Sequence, residues 1–215
     1  MQTVHFILQI RDGVGKSLVS SYLMQYLQEK RERPKGIDDE PNFDKLIERL
    51  LEDPERTFVV ENGATSSLSL INYLVENKIM KRLEGKFNTV IHIPITGGEA
   101  QDDTLDGVRY IIERFREDGV SFNIWVNEFF GKVEKDNRSF EAMEIYQEYK
   151  KSIHGMVTLP ELNAHTYGVA IRKMHQAKQR FEEVITDRDY TLLEKQRLIG
   201  YKNRIFDSIS LIIRA

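Results

Sequence analysis

Four residues near the start of the chain have the types and spacing of a phosphate-binding loop. Gly13 and Gly15 are followed directly by Lys16 and Ser17. Glycines let the chain turn so that main-chain N–H groups point at phosphate oxygens, and the start of a following helix adds its positive dipole end. A lysine then reaches the terminal phosphates and a serine hydroxyl binds Mg²⁺. The pattern therefore indicates binding of a nucleoside triphosphate. The simpler alternative is a glycine-rich turn with a solvated lysine.

The residues before this loop depart from the usual motifs. The full GxxxxGK[ST] pattern requires glycine where this chain has Ile10. A variant pattern, Lys-Gly-Gly-x-Gly-Lys-Ser/Thr, fits better, with Arg11 in place of its first lysine and Asp12 in place of a glycine. Arginine keeps the cation but differs from lysine in shape and donor geometry. The Asp12 carboxylate would repel phosphates. Both changes favour nucleotide binding over hydrolysis as the expected activity.

Polar residues also end two later apolar segments. Glu61 follows Phe58-Val59-Val60, which is the form of a segment whose acid holds Mg²⁺. The alternative for Glu61 is a solvated or capping acid at a strand end. Asn127 ends the run NIWVN and could read an adenine edge, although asparagine at this position is equally typical of a turn. His92 and Trp125 lie within apolar segments and are expected in the core.

Short apolar runs alternate with amphipathic stretches, which predicts a mostly parallel, doubly wound α/β sheet with helices on both faces. The strands are predicted at residues 4–10, 57–61, 88–95, 121–127 and 154–159. The helices are predicted at residues 17–28, 42–52, 67–80, 100–117, 138–151, 162–186 and 188–212. The charged segment 29–41 is expected to be a loop. No linker interrupts the pattern, so residues 1–215 are expected to form one domain. In such sheets, ligands bind at the carboxyl ends of the strands.

Composition excludes several classes of function. The formal net charge is −3, which gives no global electrostatic reason to bind nucleic acid. The chain has no cysteine, so disulfides, thiolate metal sites and cysteine nucleophiles are excluded. No apolar run approaches the length of a transmembrane helix, and the first residues lack the layout of a signal peptide. A cytoplasmic location is the expectation.

Several segments together resemble a known family. They are VHFILQI and GVGKSLVSSYLMQYL at the start, VVENGATSSLSLINYL and VIHIPITGGEAQDDTLDG in the middle, then FNIWVNEFFG and LPELNAHTYG. With these segments the chain resembles the MinD/ParA class of deviant-Walker ATPases, and within that class the TraL-type proteins of plasmid conjugal transfer. The resemblance implies a three-layer P-loop NTPase fold that binds ATP and Mg²⁺. It also implies a homodimer and partners in the conjugation machinery.

The resemblance assigns roles by position. The nucleotide would be bound by Gly13, Val14, Gly15, Lys16, Ser17, Leu18 and Asn127, and Mg²⁺ by Ser17 and Glu61. Lys16 and Arg11 would be catalytic, with Arg11 replacing a lysine that crosses to the partner's phosphates. Relatives also carry a second strand that ends in an Asp-rich element. Segment 29–41 looks too short for it, so we expect that element to be missing and hydrolysis to be slow.

Three other functions stay open at this point. The chain could be a nucleotide-binding or interaction module that hydrolyses nothing, which Asp12 favours. It could be a dethiobiotin-synthetase-like ligase, although no distinctive substrate-binding residues are evident. It could also be a scaffold whose glycine loop binds no ligand.

Overall fold

A parallel sheet of six strands forms the centre of the fold in this computed structural model, which describes residues 1–63, 66–163 and 165–213. The spatial order of the strands is β2-β3-β1-β4-β5-β8, and each neighbouring pair is parallel. Their bounds are β1 Gln2–Ile7, β2 Lys35–Asp38, β3 Phe58–Glu61, β4 Phe87–Thr96, β5 Ser121–Asn127 and β8 Ile153–Leu159. A separate antiparallel hairpin joins β6 (Glu134–Lys135) to β7 (Arg138–Ser139).

Helices cover both faces of the sheet, which confirms the predicted three-layer α/β fold. One apolar core contains side chains of α2 (Phe43–Glu52), α3 (Ser67–Glu76), α4 (Ile79–Leu83), α5 (Gln101–Phe115) and α6 (Glu144–Tyr149). The core on the other face contains side chains of α1 (Lys16–Glu29), α7 (Tyr167–Gln176), α8 (Phe181–Thr186) and α9 (Leu192–Ile212). Over the described ranges, no helix is both long and apolar enough to cross a bilayer.

The central strand β4 is buried on both faces, as strands of a parallel sheet between two helix layers usually are. Ile91, Ile93 and Ile95 are fully buried in the core formed with α2 to α6. His92, between two of them, is fully buried on the opposite face, where it bonds Trp125. A strand buried on both faces must be apolar almost throughout, as this one is. His92 and Trp125 are therefore core residues, as the sequence predicts.

The expectation of a loop over residues 29–41 is wrong. Lys35–Asp38 forms the edge strand β2, which pairs in parallel with Phe58–Glu61. Ile37 is the one buried residue of β2, so the strand has no alternating apolar pattern that the sequence could reveal. Asp38 is its last residue, and Asp39 follows directly. The Asp-rich second strand that we expected to be missing is therefore present in a short form.

Three predicted helices are also wrong in part, and left-handed residues lie within two of them and directly before the third. Residues 138–151 contain β7, and α6 begins only at Glu144; Asp136 and Asn137, with φ of 52° and 57°, form the tight turn of the hairpin before it. Segment 162–186 divides into α7 and α8 around Lys178 (φ 53°), and its residue Ala164 lies outside the described residues. Segment 67–80 ends early at Lys78 (φ 51°), where α4 follows α3.

Candidate functional site

The loop from Gly13 to Ser17 connects β1 to α1 and has the backbone of an anion-binding turn. Gly13 and Gly15 have φ of 73° and 98°, in the left-handed region that favours glycine. Gly15 is the N-cap of α1 and supplies no side-chain cap, so amides of the first helical turn remain available. A Cβ at position 15 would lie 2.7 Å from Nδ2 of Asn127, which leaves room for glycine alone. The geometry suits phosphate binding by main-chain N–H groups.

The ammonium group of Lys16 lies inside this loop. The Lys16 side chain is only 6% exposed. Its Nζ donates to the main-chain oxygen of Arg11 at 3.2 Å and to Oδ1 of Asp12 at 3.1 Å. Both partners belong to the two positions at which the sequence departs from the usual motif. The lysine is therefore neutralised by the protein itself in the absence of a ligand.

Ser17 and Glu61 are brought together from α1 and β3. The Ser17 hydroxyl donates to Oε1 of Glu61 at 2.6 Å. Glu61 is buried, and burial raises the pKa of its carboxyl; the Ser17 hydrogen bond opposes that shift, while nearby Asp38 adds to it. The oxygen atoms of the two side chains proposed as Mg²⁺ ligands thus lie within hydrogen-bond distance of each other.

This pair fits a Mg²⁺ ion that shares its coordination with a phosphate. Mg²⁺ prefers oxygen ligands, keeps several waters, and usually takes one or two protein oxygens together with substrate phosphates. Among the described residues, no group of three or more His, Asp or Glu side chains forms a complete metal site. Ser17 and Glu61 would therefore hold the ion only together with the ligand's phosphates.

Two acids that the sequence analysis missed lie beside Glu61. Asp38 is opposite Glu61 in the register of β2 and β3. Oδ1 of Asp39 accepts a hydrogen bond from the main-chain nitrogen of Gly63 at 2.5 Å. The adjacent acids DDE at 38–40 were a visible signal, but without a predicted strand nothing assigned them to this edge of the sheet.

Asn127 lies beneath the glycine loop and connects it to the next loop. Its side chain is buried; Nδ2 donates to the main-chain oxygen of Val14 at 3.0 Å, and Oδ1 accepts from the main-chain nitrogen of Phe129 at 3.2 Å. The Thr96 hydroxyl donates to the main-chain oxygen of Asn127. The structure thus brings Asn127 to the loop, where its carboxamide already has two main-chain partners.

Arg11 is placed differently from the other predicted residues. Its side chain is half exposed, and its guanidinium lies 3.5 Å from the carboxylate of Asp103 in the first turn of α5. Only its main-chain oxygen contacts Lys16. The Arg11 cation is therefore at the surface beside the loop, outside the cluster of Lys16, Ser17 and Glu61.

Two clefts meet at the glycine loop. A cleft of about 320 Å³, which contains the Lys16, Ser17 and Glu61 side chains, is lined by the loop, Glu61 and Gly63. A larger, mainly apolar cleft of about 500 Å³ shares Gly13, Gly15 and Leu18 with it. Its other lining residues include Asn127, Phe129, Leu159, Pro160 and Ile171. A ligand with a charged phosphate end and a flat apolar end would fit both clefts at once.

Comparison with known proteins places this geometry in context. Two curated proteins from Escherichia coli, both named Protein TraL, align with nearly the whole chain. One is 29% identical over 237 aligned positions and covers 97% of this chain and 98% of its own length. The other is 28% identical over 234 positions and covers 96% of each chain. No family model matches.

A solved structure supports the fold independently. The MinD cell division protein of Aquifex aeolicus is 12% identical and covers 95% of this chain and 97% of its own, with a TM-score of 0.50. At that identity the likeness concerns the fold. The comparisons together confirm the resemblance indicated by the sequence: the chain is similar to the MinD/ParA class of deviant-Walker ATPases and is close to the TraL proteins.

Proposed function

We propose that the protein is an ATP-binding switch that requires Mg²⁺ and hydrolyses ATP slowly. The observation that carries this proposal is that two clefts meet at Gly13, Gly15 and Leu18, one lined by Lys16, Ser17 and Glu61 and one mainly apolar. The triphosphate would lie in the cleft that contains Lys16 and the adenosine in the apolar one. Main-chain N–H groups of Gly13 to Leu18 would bind the phosphates.

Charged and hydroxyl groups around the loop then have distinct roles. The Lys16 ammonium would leave Asp12 and bind the terminal phosphates. Ser17 and Glu61 would hold Mg²⁺, which neutralises phosphate charge when bound. Asn127 would contact the base from beneath the loop, using the hydrogen and lone pair that its two main-chain bonds leave free.

Slow hydrolysis is expected because the carboxylates of Asp12 and Asp39 already have hydrogen-bond partners in the protein. The Asp12 carboxylate competes with phosphate for Lys16. Asp39, at the end of the short second strand, is bonded to the Gly63 main chain and would have to release it before it could orient a water. Phosphoryl transfer depends on positioning and on neutralisation of charge, and both would be incomplete in this conformation.

Assembly and cellular role follow from the family resemblance. The half-exposed Arg11 guanidinium beside the loop is free to reach the phosphates of a second subunit once it leaves Asp103. This supports a nucleotide-dependent homodimer. The similarity to Protein TraL supports an accessory role in plasmid conjugal transfer.

A second candidate is a nucleotide-binding module that hydrolyses nothing. The ion pair between Lys16 and Asp12 favours it, because the same contact that weakens phosphate binding also withholds the ammonium from the transition state. Binding without turnover would then be the functional state.

Calorimetry and phosphate release together test both candidates. Wild-type protein should bind ATP and a non-hydrolysable analogue in the presence of Mg²⁺, and Lys16→Ala should weaken both about a hundredfold. Lys45→Ala, which removes an exposed lysine from α2, is the matched control and should bind like the wild type. Slow phosphate release that Lys16→Ala abolishes supports the ATPase. Binding without release supports the module, and the absence of binding refutes both.

A further inference from the structure

A second polar cavity lies at the opposite end of the sheet from the glycine loop. It has a volume of about 410 Å³, which is within the range of small-molecule sites. It opens between the amino ends of β1, β4, β5 and β8, beneath the end of α9. The polar side chains in its lining include Thr3, His5, Thr89, Ser121, Asn123 and His154. This set is distinct from the residues that line the clefts at the glycine loop.

Asn123 is the unusual residue of this cavity. Its side chain is fully buried on β5, and within the described residues neither Nδ2 nor Oδ1 has a hydrogen-bond partner. Buried polar groups are nearly always paired, because an unpaired one costs free energy. Asn123 also contributes to the cavity lining, but both of its polar atoms are closed to solvent beside Ile212, so an occupant would reach the carboxamide once Ile212 moves aside.

The polar residue opposite Asn123 on the neighbouring strand does not hydrogen-bond to it. His92 is opposite Asn123 in the register of β4 and β5. Nδ1 of His92 is 2.9 Å from Nε1 of Trp125, and Nε2 of His92 is 3.0 Å from Nδ1 of His5. An indole nitrogen only donates, so Nδ1 of His92 accepts and its Nε2 carries the proton. Both ring nitrogens of His92 are therefore already used.

The same hydrogen bonds determine which ring nitrogen of His5 carries the proton. Because Nδ1 of His5 accepts from His92, the proton of its neutral ring is on Nε2, and His5 lines the cavity. Burial keeps this ring neutral by lowering the pKa of His5 to about 3. The cavity lining thus offers an imidazole N–H donor from His5 and, once Ile212 moves aside, a donor and an acceptor from Asn123.

Charges at the cavity disfavour an anion. Glu84 and Asp118 contribute carboxylates to the lining, and the described lining residues include no lysine or arginine. A phosphate or carboxylate would be repelled by these two carboxylates. An uncharged ligand would avoid this repulsion.

We propose that the cavity binds a small uncharged molecule whose edge carries a hydrogen-bond donor beside an acceptor, as in a primary carboxamide or a nucleobase. The Asn123 carboxamide matches such an edge with two parallel hydrogen bonds, the pairing by which asparagine recognises adenine. Gly155 lies opposite Asn123 on β8. Because glycine has no side chain, Ile212 of α9 packs against it, next to the site. This site is separate from the proposed ATP site and does not depend on it.

A titration followed by ¹⁵N–¹H NMR tests the proposal with the intact chain. The probes are nicotinamide and uracil, which distinguish a carboxamide from a nucleobase, and nicotinate, which has the ring of nicotinamide with a carboxylate. We expect saturable shifts of the Asn123 side-chain amide and of Ser121 with at least one uncharged probe, and binding of nicotinate weaker by about tenfold or more. No saturable shift with either uncharged probe, or equal binding of nicotinate and nicotinamide, overturns the proposal.

Two variants separate this site from the glycine loop. Asn123→Leu should weaken binding of the uncharged probe by about tenfold or more. Lys16→Ala should leave that binding unchanged, whatever it does to ATP binding. Unchanged affinity in Asn123→Leu contradicts the proposal. The wild-type comparison of nicotinamide with nicotinate needs no variant and decides the question if Asn123→Leu does not fold.

Discussion

The ammonium of Lys16 lies 3.1 Å from the carboxylate of Asp12, four residues before it. The lysine is almost fully buried, whereas 47% of the aspartate side chain is exposed. Asp12 therefore pairs with the ammonium that a phosphate would bind in the proposed complex. Because its side chain is half exposed, it can move into solvent when a phosphate binds. Under the proposed function, nucleotide binding would replace this contact with one between Lys16 and phosphate.

Removing the Asp12 charge should therefore tighten nucleotide binding. We expect Asp12→Asn to bind ATP about five- to tenfold more tightly than the wild type, because the carboxylate no longer competes for Lys16 or repels phosphate. Calorimetry at fixed Mg²⁺ measures the change. Asp207→Asn, which removes an exposed aspartate from α9, is the charge-matched control. Equal or weaker binding by Asp12→Asn would refute the competition.

Gly15→Ala should damage the loop in two separable ways. The added Cβ would lie 2.7 Å from Nδ2 of Asn127, and alanine is strained at φ of 98°. We expect a loss of about 1–3 kcal/mol in unfolding free energy and at least about tenfold weaker ATP binding. In an Asn127→Ala background, Gly15→Ala should cost less than it does in the wild type, because only the backbone strain remains. Gly119→Ala, also at positive φ (69°) with open space around it, is the control that measures strain alone.

Glu61→Gln should change the requirement for Mg²⁺ and the response to pH. Loss of the carboxylate is expected to raise the Mg²⁺ concentration needed for ATP binding about tenfold. The raised pKa of Glu61 means that the native state binds its proton more tightly than the unfolded state does, so ionisation lowers stability as pH rises above the unfolded value of 4.5. The unfolding free energy of the variant relative to the wild type should therefore increase between pH 4 and pH 7 in urea denaturation. A pH-independent difference would show that Glu61 is not buried as described.

The buried histidine pair should make the protein sensitive to acid. Burial lowers the pKa of His5 to about 3 and that of His92 well below its usual value. The unfolded state therefore gains protons below pH 6.5 that the native state does not, and stability falls as pH decreases from 6.5. Each pH unit costs up to about 1.4 kcal/mol per histidine. His154→Gln, at an exposed position on β8, should leave this slope unchanged, whereas His5→Gln should reduce it. Equal slopes in both variants would contradict the assignment.

The parts of the fold that the sequence predicts are those with a dense apolar signal. β4 and β5 are buried on both faces and read as nearly continuous apolar runs, so their positions and the parallel sheet follow directly. The glycine loop is also evident, because its residue types admit few alternatives. β2 is different. An exposed edge strand with one buried residue, Ile37, carries no periodic pattern, and its existence depends on pairing with β3.

The structure brings most of the predicted site residues together, whereas the contacts among them were not predicted from the sequence. Ser17 and Glu61 could be paired from their places at neighbouring strand ends. The contact of Lys16 with Asp12 and the bond from Asn127 to Val14 depend on side-chain conformation in three dimensions, which spacing does not encode. Asp39 was missed because its position at this edge depends on β2. These contacts thus depend on tertiary structure, which the local sequence does not predict.

The most direct test of the central claim is a crystal structure grown with Mg²⁺ and a non-hydrolysable ATP analogue. The account predicts phosphate density against the main-chain nitrogens of Gly13 to Ser17, with the Lys16 ammonium moved from Asp12 to the phosphates and Mg²⁺ beside Ser17. An ordered glycine loop without phosphate density, at an analogue concentration that saturates binding in solution, would contradict it. So would phosphate density elsewhere on the molecule.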